Sequence, residues 1–275
     1  MLLTKAQITE LEQKARKLRY LIVEMVSVGK QGHIGGSCSI ADVMAVLYFH
    51  KMKHDPLRPN WPDRDRLLLS KGHAALVQYA ALAECGYFSR EHLATLKQTG
   101  SILQGHPDML KTPGIEANTG SLGQGLSIAC GMAMAGKLDR KDYRVFCVLG
   151  DGEIAEGQIW EASMAAGFYK LDNLTAILDK NGIQATGPVA ERFDTNPHRE
   201  KWLACGWHVI ETDGHRVGEI DLALNEAEKI HNRPTLIIAH TVKGKGVPFA
   251  EDTAAFHNGI MDQAQYEQAL ECLKR

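Results

Sequence analysis

Asp151 stands between two glycines in Gly150-Asp151-Gly152-Glu153, and Asn181-Gly182-Ile183 follows thirty positions later. A carboxylate and an amide carbonyl are hard oxygen donors. They suit Mg²⁺ better than Zn²⁺, which draws on clustered Cys and His. Glycines on both sides let the backbone turn sharply and approach a ligand closely. Asp151 and Asn181 would supply half of a Mg²⁺ site, a backbone carbonyl just past Gly182 would add a third ligand, and diphosphate oxygens and a water would complete an octahedron. Asp-Gly and Asn-Gly are also ordinary turn dipeptides. What favours the metal is that each pair closes a buried strand.

Four histidines, His33, His73, His106 and His257, stand in loops that contain glycine. Imidazole is the side chain poised for proton transfer near neutral pH. These four show no His-x₃-His spacing and the chain has no Cys-x₂-Cys pair, which argues against a Zn site built from them. Lys243-Gly244-Lys245-Gly246 puts two lysines among glycines. That suits a phosphate or a solvated loop, but the spacing is not that of a Walker A loop. Glu156 and Glu161 lie five apart at the start of the helix expected after Asp151. Acidic residues there complement the helix dipole.

These residues need elements to place them. Thr4 and Gln7 form a capping box. Ile8, Leu11, Ala15, Leu18, Ile22 and Met25 recur at helical spacing, which predicts an amphipathic helix ending near Gly29. A second helix is expected from Ser39 to Phe49, a loop around Pro56, Pro59 and Pro62, and a third helix from Ala74 to Cys85. Arg66 to Ser70, Tyr143 to Leu149, Leu174 to Leu178, Trp207 to Ile210 and Thr235 to Ala239 read as short apolar strands. Helical stretches from Gln158 to Tyr169 and Val217 to His231 fall between strands, and a terminal helix begins near Asp262. The alternation predicts an α/β fold: a doubly wound, mainly parallel sheet with helices on both faces. Ligands of such sheets bind beyond the carboxyl ends of the strands. Ser70 to His73, Gly150 to Gly152, Asp179 to Asn181 and His240 to Lys243 all fall there.

The 275 residues suffice for one large α/β domain, taken as residues 1–275. A hydrophobic fraction of 44% and a charged fraction of 23% are ordinary for a globular protein, and a net charge of −2 advertises no basic surface for nucleic acid. No run approaches a membrane span, and Met1-Leu2-Leu3 is too short for a leader. Six scattered cysteines read as free thiols in a reducing, cytoplasmic setting.

Gly-Asp-Gly followed after about thirty residues by Asn resembles the thiamine-diphosphate motif. More narrowly, the chain resembles the N-terminal, diphosphate-binding half of transketolases. The likeness includes Gly32-His33-Ile34-Gly35-Gly36, Leu69 to Ala74, Gly105-His106-Pro107-Asp108, Gly120 to Gly125 and Glu156 to Ala162. It covers nearly the whole chain. The resemblance implies thiamine diphosphate as cofactor with Mg²⁺, for which Ca²⁺ or Mn²⁺ would substitute. It implies Asp151, Asn181 and the carbonyl of Ile183 as metal ligands. His73, Gly120, Leu122, Gly152, Glu156, Asn181, Lys243 and His257 would hold the cofactor. Of the catalytic set, His33, His73 and His106 would line the funnel around the reacting carbon and bond donor and acceptor hydroxyls. His73 and His257 would contact the diphosphate, and Glu161, with Glu156, would sit at a subunit interface, linked to the glutamate that activates the cofactor. Ser121 stands where many transketolases have Pro, and Ile34 and Cys38 depart from common forms of the first histidine loop.

That activating glutamate, and the aromatic residue stacked on the cofactor ring, belong in the family to a following pyrimidine-binding domain. The chain ends at Arg275, with no room for one. The expectation is therefore a natural subunit of a split transketolase, inactive alone, joined to a separate C-terminal subunit in an α₂β₂ heterotetramer. It would move a two-carbon ketol unit between sugars or sugar phosphates. The rival expectations are a deoxyxylulose-phosphate synthase-like subunit, a 2-oxo-acid decarboxylating subunit, and a non-catalytic regulatory subunit.

Overall fold

The computed structural model describes residues 2–274. Met1 and Arg275, on which the readings of the chain's start and end partly rest, lie outside the described residues. In chain order the elements are α1 (Lys5–Val26), β1 (Gln31–Gly32), α2 (Ile34–Cys38), α3 (Ala41–Val46), β2 (Arg66–Leu69), α4 (Ala75–Cys85), α5 (Gln124–Leu138), β3 (Val145–Gly150), α6 (Gly157–Phe168) and β4 (Leu174–Lys180). There follow β5 (Ile183–Gln184), β6 (Gly187–Pro188), α7 (Val189–Arg192), α8 (His198–Ala204), β7 (His208–Asp213), α9 (Val217–Ala227), β8 (Thr235–His240), β9 (Gly259–Ile260) and α10 (Gln263–Lys274).

Among the described residues, five strands form the central sheet in the order β2-β3-β4-β8-β7, every neighbouring pair parallel. Successive side chains of a strand point to opposite faces, and the core divides accordingly. Leu67, Leu69, Phe146, Val148, Ile177, Ile237 and Ala239 face the layer of α1, α3, α4 and α9. Leu68, Val145, Cys147, Leu149, Leu174, Ala176, Leu178, Leu236 and Ile238 face the layer of α5, α6 and α8. Both faces are covered, which is why the strands read as continuous apolar runs.

The capping box forms: the Gln7 amide donates to Thr4 Oγ1 at 3.3 Å and the Thr4 amide to Gln7 Oε1 at 2.9 Å. α1 stops at Val26 rather than near Gly29, because Ser27 takes a left-handed φ of 51° and Val28 bridges to Met261. α5 is a helix that periodicity does not announce. Gly125, Gly131 and Gly136 and several alanines give it no wide apolar stripe, and it packs through small residues against α6. The six cysteines are free, and Cys38, Cys130 and Cys147 are buried. Among the described residues, no helix is long and apolar enough to cross a membrane.

Candidate active site

Four consecutive strands of the sheet, β2, β3, β4 and β8, end on one edge, and a cavity of about 290 Å³ opens there. Register sets what meets in it: Gly150 pairs with Asp179, Asp179 with Ala239, and Lys180 with His240. Asp151, Asn181 and Ile183 therefore lie on adjoining strand ends, and all three line the cavity. So do His73, Leu122, Gly152, Glu156, Lys243 and His257.

Each oxygen of the expected metal set is aimed. Asp151 Oδ1 accepts from the Gly152 amide at 2.9 Å and Oδ2 from the Gly182 amide at 2.5 Å. Gly182 can present that amide because it adopts a φ of 78°, which a side chain would disfavour. Asn181 Nδ2 donates to Asp179 Oδ2 at 2.7 Å. A carboxylate only accepts, so this bond assigns the amide nitrogen to Asp179 and turns Oδ1 the other way. The Ile183 carbonyl accepts from Lys243 Nζ at 2.8 Å, so it already faces a cation. Among the described residues, there is no group of three or more His, Cys, Asp or Glu side chains able to hold a metal. A set of one carboxylate, one amide and one carbonyl is of another kind, suited to a hard cation that brings its own oxygen ligands.

Behind this set lies a charge network that residue spacing does not reveal. Lys71 Nζ donates to Asp179 Oδ2 at 2.6 Å and to the Gly36 carbonyl at 2.6 Å. The two side chains are 2% and 0% exposed. Asp179 also accepts from Ser39 Oγ at 2.7 Å and Thr241 Oγ1 at 2.5 Å. Burial alone would raise the Asp179 carboxyl, but Lys71 and these donors hold it below the usual carboxylate range. Asp151 is the contrast: burial and the neighbouring Asp179 charge push it up to about 6. Burial and Lys71 bring the Lys243 ammonium down to about 8. A buried site with an excess of cation-seeking carboxylate beside a depressed ammonium is arranged for both a metal ion and an anion.

Glu153, likewise silent in the sequence, clasps the cavity wall. Its carboxylate accepts from Ser70 Oγ at 2.5 Å, the Gly123 amide at 2.9 Å and the Gly150 amide at 2.9 Å. It thus joins the ends of β2 and β3 to the start of α5. Burial raises its carboxyl.

The four histidines converge at the rim. β1 pairs with β9 so that Gly32 opposes Gly259, which brings the following His33 near His257, their ring centroids 5.4 Å apart. His73, on the turn after β2, stacks on His257 at 5.0 Å and lies 5.2 Å from His33. His106 is 6.3 Å from His33. Tyr79 Oη, at 3.0 Å from both the Gln104 and His106 carbonyls, anchors its loop. Gly120 does not line the cavity. It backs the His106 ring, where a Cβ would fall 2.8 Å from a ring carbon. Burial is the main cause that lowers the rings, His33 to about 3, His73 to about 2 and His257 to about 4, with neighbouring histidines or lysines adding to it. His106 is lowered by burial and Lys97. At neutral pH the rim is a set of uncharged imidazoles, each able to donate at one nitrogen and accept at the other. Glu161 is exposed on α6 and outside the cavity lining, whereas Glu156 stands at the N-cap position of that helix and lines the cavity.

The architecture is that of a parallel α/β domain with an oxygen-donor cleft at its strand ends. Residues 11–273 match the family described as "Transketolase, thiamine diphosphate binding domain". The chain is 45% identical to the 6-deoxy-6-sulfo-D-fructose transketolase subunit SqwG of Clostridium sp. (strain MSTE9), over 97% of each chain. It is 44% identical to a subunit of the apulose-4-phosphate transketolase of Phocaeicola vulgatus, over 96% of this chain and 94% of the relative. The transketolase structure from Campylobacter jejuni superposes with a TM-score of 0.91 at 36% identity, over 97% of this chain and 43% of that one. The chain belongs to the transketolase family, in its thiamine-diphosphate-binding domain, and is classed with transketolase-type transferase subunits. It spans 41% of the length of the rat transketolase that it matches.

Proposed function

We propose that this chain is the diphosphate-binding subunit of a two-chain transketolase, which moves a two-carbon ketol unit from a ketose or ketose phosphate to an aldose or aldose phosphate. The observation that carries this reading is one cavity lined by Asp151, Asn181 and Ile183 and rimmed by neutral histidines. When bound, thiamine diphosphate supplies the electron sink that lets the ketose C2–C3 bond break. Asp151, Asn181 and the Ile183 carbonyl hold Mg²⁺. Lys243, His73 and His257 face the diphosphate, Gly152 and Glu156 close the cavity wall beside it, and Leu122 and Gly120 support the aminopyrimidine. His33 and His106 orient donor and acceptor hydroxyls and move protons between them, which neutral imidazoles do in either direction.

The partner supplies the activating glutamate, and two copies of each chain assemble. Near-complete coverage of two relatives named as subunits supports the split. So do Met164, Phe168 and Tyr169 on or just after α6, exposed at 56%, 78% and 53%, since a run of large apolar side chains on one helix marks an interaction surface. Glu161 is exposed on the same helix, and we assign it to that contact. The test mixes this chain with a chain that carries the pyrimidine-binding domain, thiamine diphosphate, Mg²⁺ and a panel of ketose–aldose pairs. Two-carbon transfer is expected only with both chains present. No transfer across the panel contradicts the reading.

A further inference from the structure

Lys243 is 2% exposed and reaches Ile183, but the loop that carries it is held from outside the cleft. The Val242 amide donates to His215 Nε2 at 2.8 Å. A ring nitrogen that accepts carries no proton, so the proton of the neutral ring lies on Nδ1, which is 2.8 Å from Asp42 Oδ2. Arg19 grips both oxygens of Asp42, and its Nε donates to the Cys38 carbonyl at 3.2 Å. Arg19 and Asp42 are buried, at 7% and 5% exposure. Burial would raise the Asp42 carboxyl, but Arg19 and His215 hold it below the usual range, so it stays an acceptor. The chain of bonds runs from α1 to α3, to the loop between β7 and α9, and ends on the backbone one residue before Lys243. Neither Asp42 nor His215 lines the cavity.

We propose that Asp42 and His215 are positioning residues for Lys243: Asp42 fixes the ring tautomer, and His215 Nε2 then holds the Val242 amide so that the lysine ammonium stays in the diphosphate cleft. The inference rests on the reading of that cleft as a Mg²⁺–diphosphate site. Lysine has a flexible four-carbon stem, so a small backbone rotation at Val242 would swing Nζ away from Ile183. Groups that hold a ligating residue, without touching the ligand themselves, commonly govern affinity at metal sites in this way.

Two substitutions separate positioning from simple support of Asp42. In His215→Gln the amide oxygen reaches the place of Nε2 and still accepts from Val242. In His215→Asn the amide nitrogen reaches the place of Nδ1 and still donates to Asp42, but nothing accepts from Val242. The full chain is titrated with Mg²⁺ and inorganic diphosphate in a calorimeter. His215→Gln is expected within about threefold of the unmodified chain, and His215→Asn about tenfold weaker, the effect of one lost hydrogen bond. In a Lys243→Met background the two variants should bind alike, since the effect runs through the lysine. Equal binding by the two single variants, or a difference that survives Lys243→Met, overturns the proposal. No binding by the unmodified chain overturns the cleft reading as well, so the two failures are distinct. Nitrogen chemical shifts of His215 in the unmodified chain give a check that needs no variant. A ring protonated at Nδ1 and bare at Nε2 supports the relay, and the opposite tautomer overturns it.

Discussion

The two ends of the cleft are built by opposite means. Behind the metal set at the strand ends, the buried charges have partners: Lys71 meets Asp179, Asp179 collects three further donors, and Glu153 accepts three bonds. At the rim, ring contacts of 5.0 to 6.3 Å link His33 to the other three histidines and His73 to His257, and among the described residues His257 Nδ1 is buried with no hydrogen-bond partner. The first region is finished before any ligand arrives, and the second is left with unused hydrogen-bonding capacity. Preorganised charge suits a site that binds a fixed group, and spare donors and acceptors suit one whose occupants change during turnover.

The contrast is broken most sharply at the rim. His106→Ala or His33→Ala is expected to lower turnover of the two-chain enzyme by about 10²–10⁴-fold, while thiamine diphosphate affinity moves far less. A variant with lost cofactor binding and normal turnover at saturation would reverse the roles assigned to the two ends.

At the strand ends the expected loss is in stability. Lys71→Met leaves Asp179 buried without its counter-ion, and destabilisation of about 3–5 kcal/mol is expected in chemical denaturation. Lys71→Met with Asp179→Asn should recover part of it, because no unpaired charge remains. Equal stability of the single variant and the parent would show that the pair does not organise the sheet edge.

Smaller effects follow from pH. Asp151, raised to about 6 by burial and Asp179, must lose its proton to hold a metal. Mg²⁺ affinity of the isolated chain should therefore fall about tenfold from pH 7 to pH 5, and a flat profile would contradict the assignment. The histidines act on folding. His33, His73 and His257 stay neutral in the folded chain down to about 3, 2 and 4, whereas unfolded histidine takes a proton near 6.5. Below 6.5 the unfolded state binds more protons, so stability is lost as pH falls from there toward 4. Asp151 and Glu153, both raised by burial, oppose this, since they gain their protons first in the folded state, but three rings outweigh two carboxyls. Denaturation midpoints at pH 7 and pH 5 check the sign, and His73→Gln should flatten the slope.

Much of this is legible in the residues, and the reasons differ by part. β2, β3, β4 and β8 are buried on both faces and stand out as apolar runs, whereas the edge strand β7 is only partly buried; Asp151 and Asn181 follow directly from where two of the buried runs stop. Lys71–Asp179, Glu153 and the Asp42–His215 relay are not legible. Each joins segments far apart in the chain, and their meeting depends on a strand order that periodicity does not encode. α5 is hidden for another reason: its small residues carry no amphipathic signal, and it is fixed by close packing on α6. His33 and His106 stand out by type and glycine context, but their place at the rim emerges only from the pairing of β1 with β9 for His33 and from the Tyr79 anchor for the His106 loop.

The most direct test of the central claim uses the isolated chain. Thiamine diphosphate is titrated calorimetrically with Mg²⁺ and with a chelator, into the parent chain and Asp151→Asn. The account predicts binding that requires Mg²⁺ in the parent and is weakened at least about a hundredfold in Asp151→Asn, the upper end for a disturbed metal site. Binding of equal strength with the chelator, or unchanged by Asp151→Asn, would contradict it.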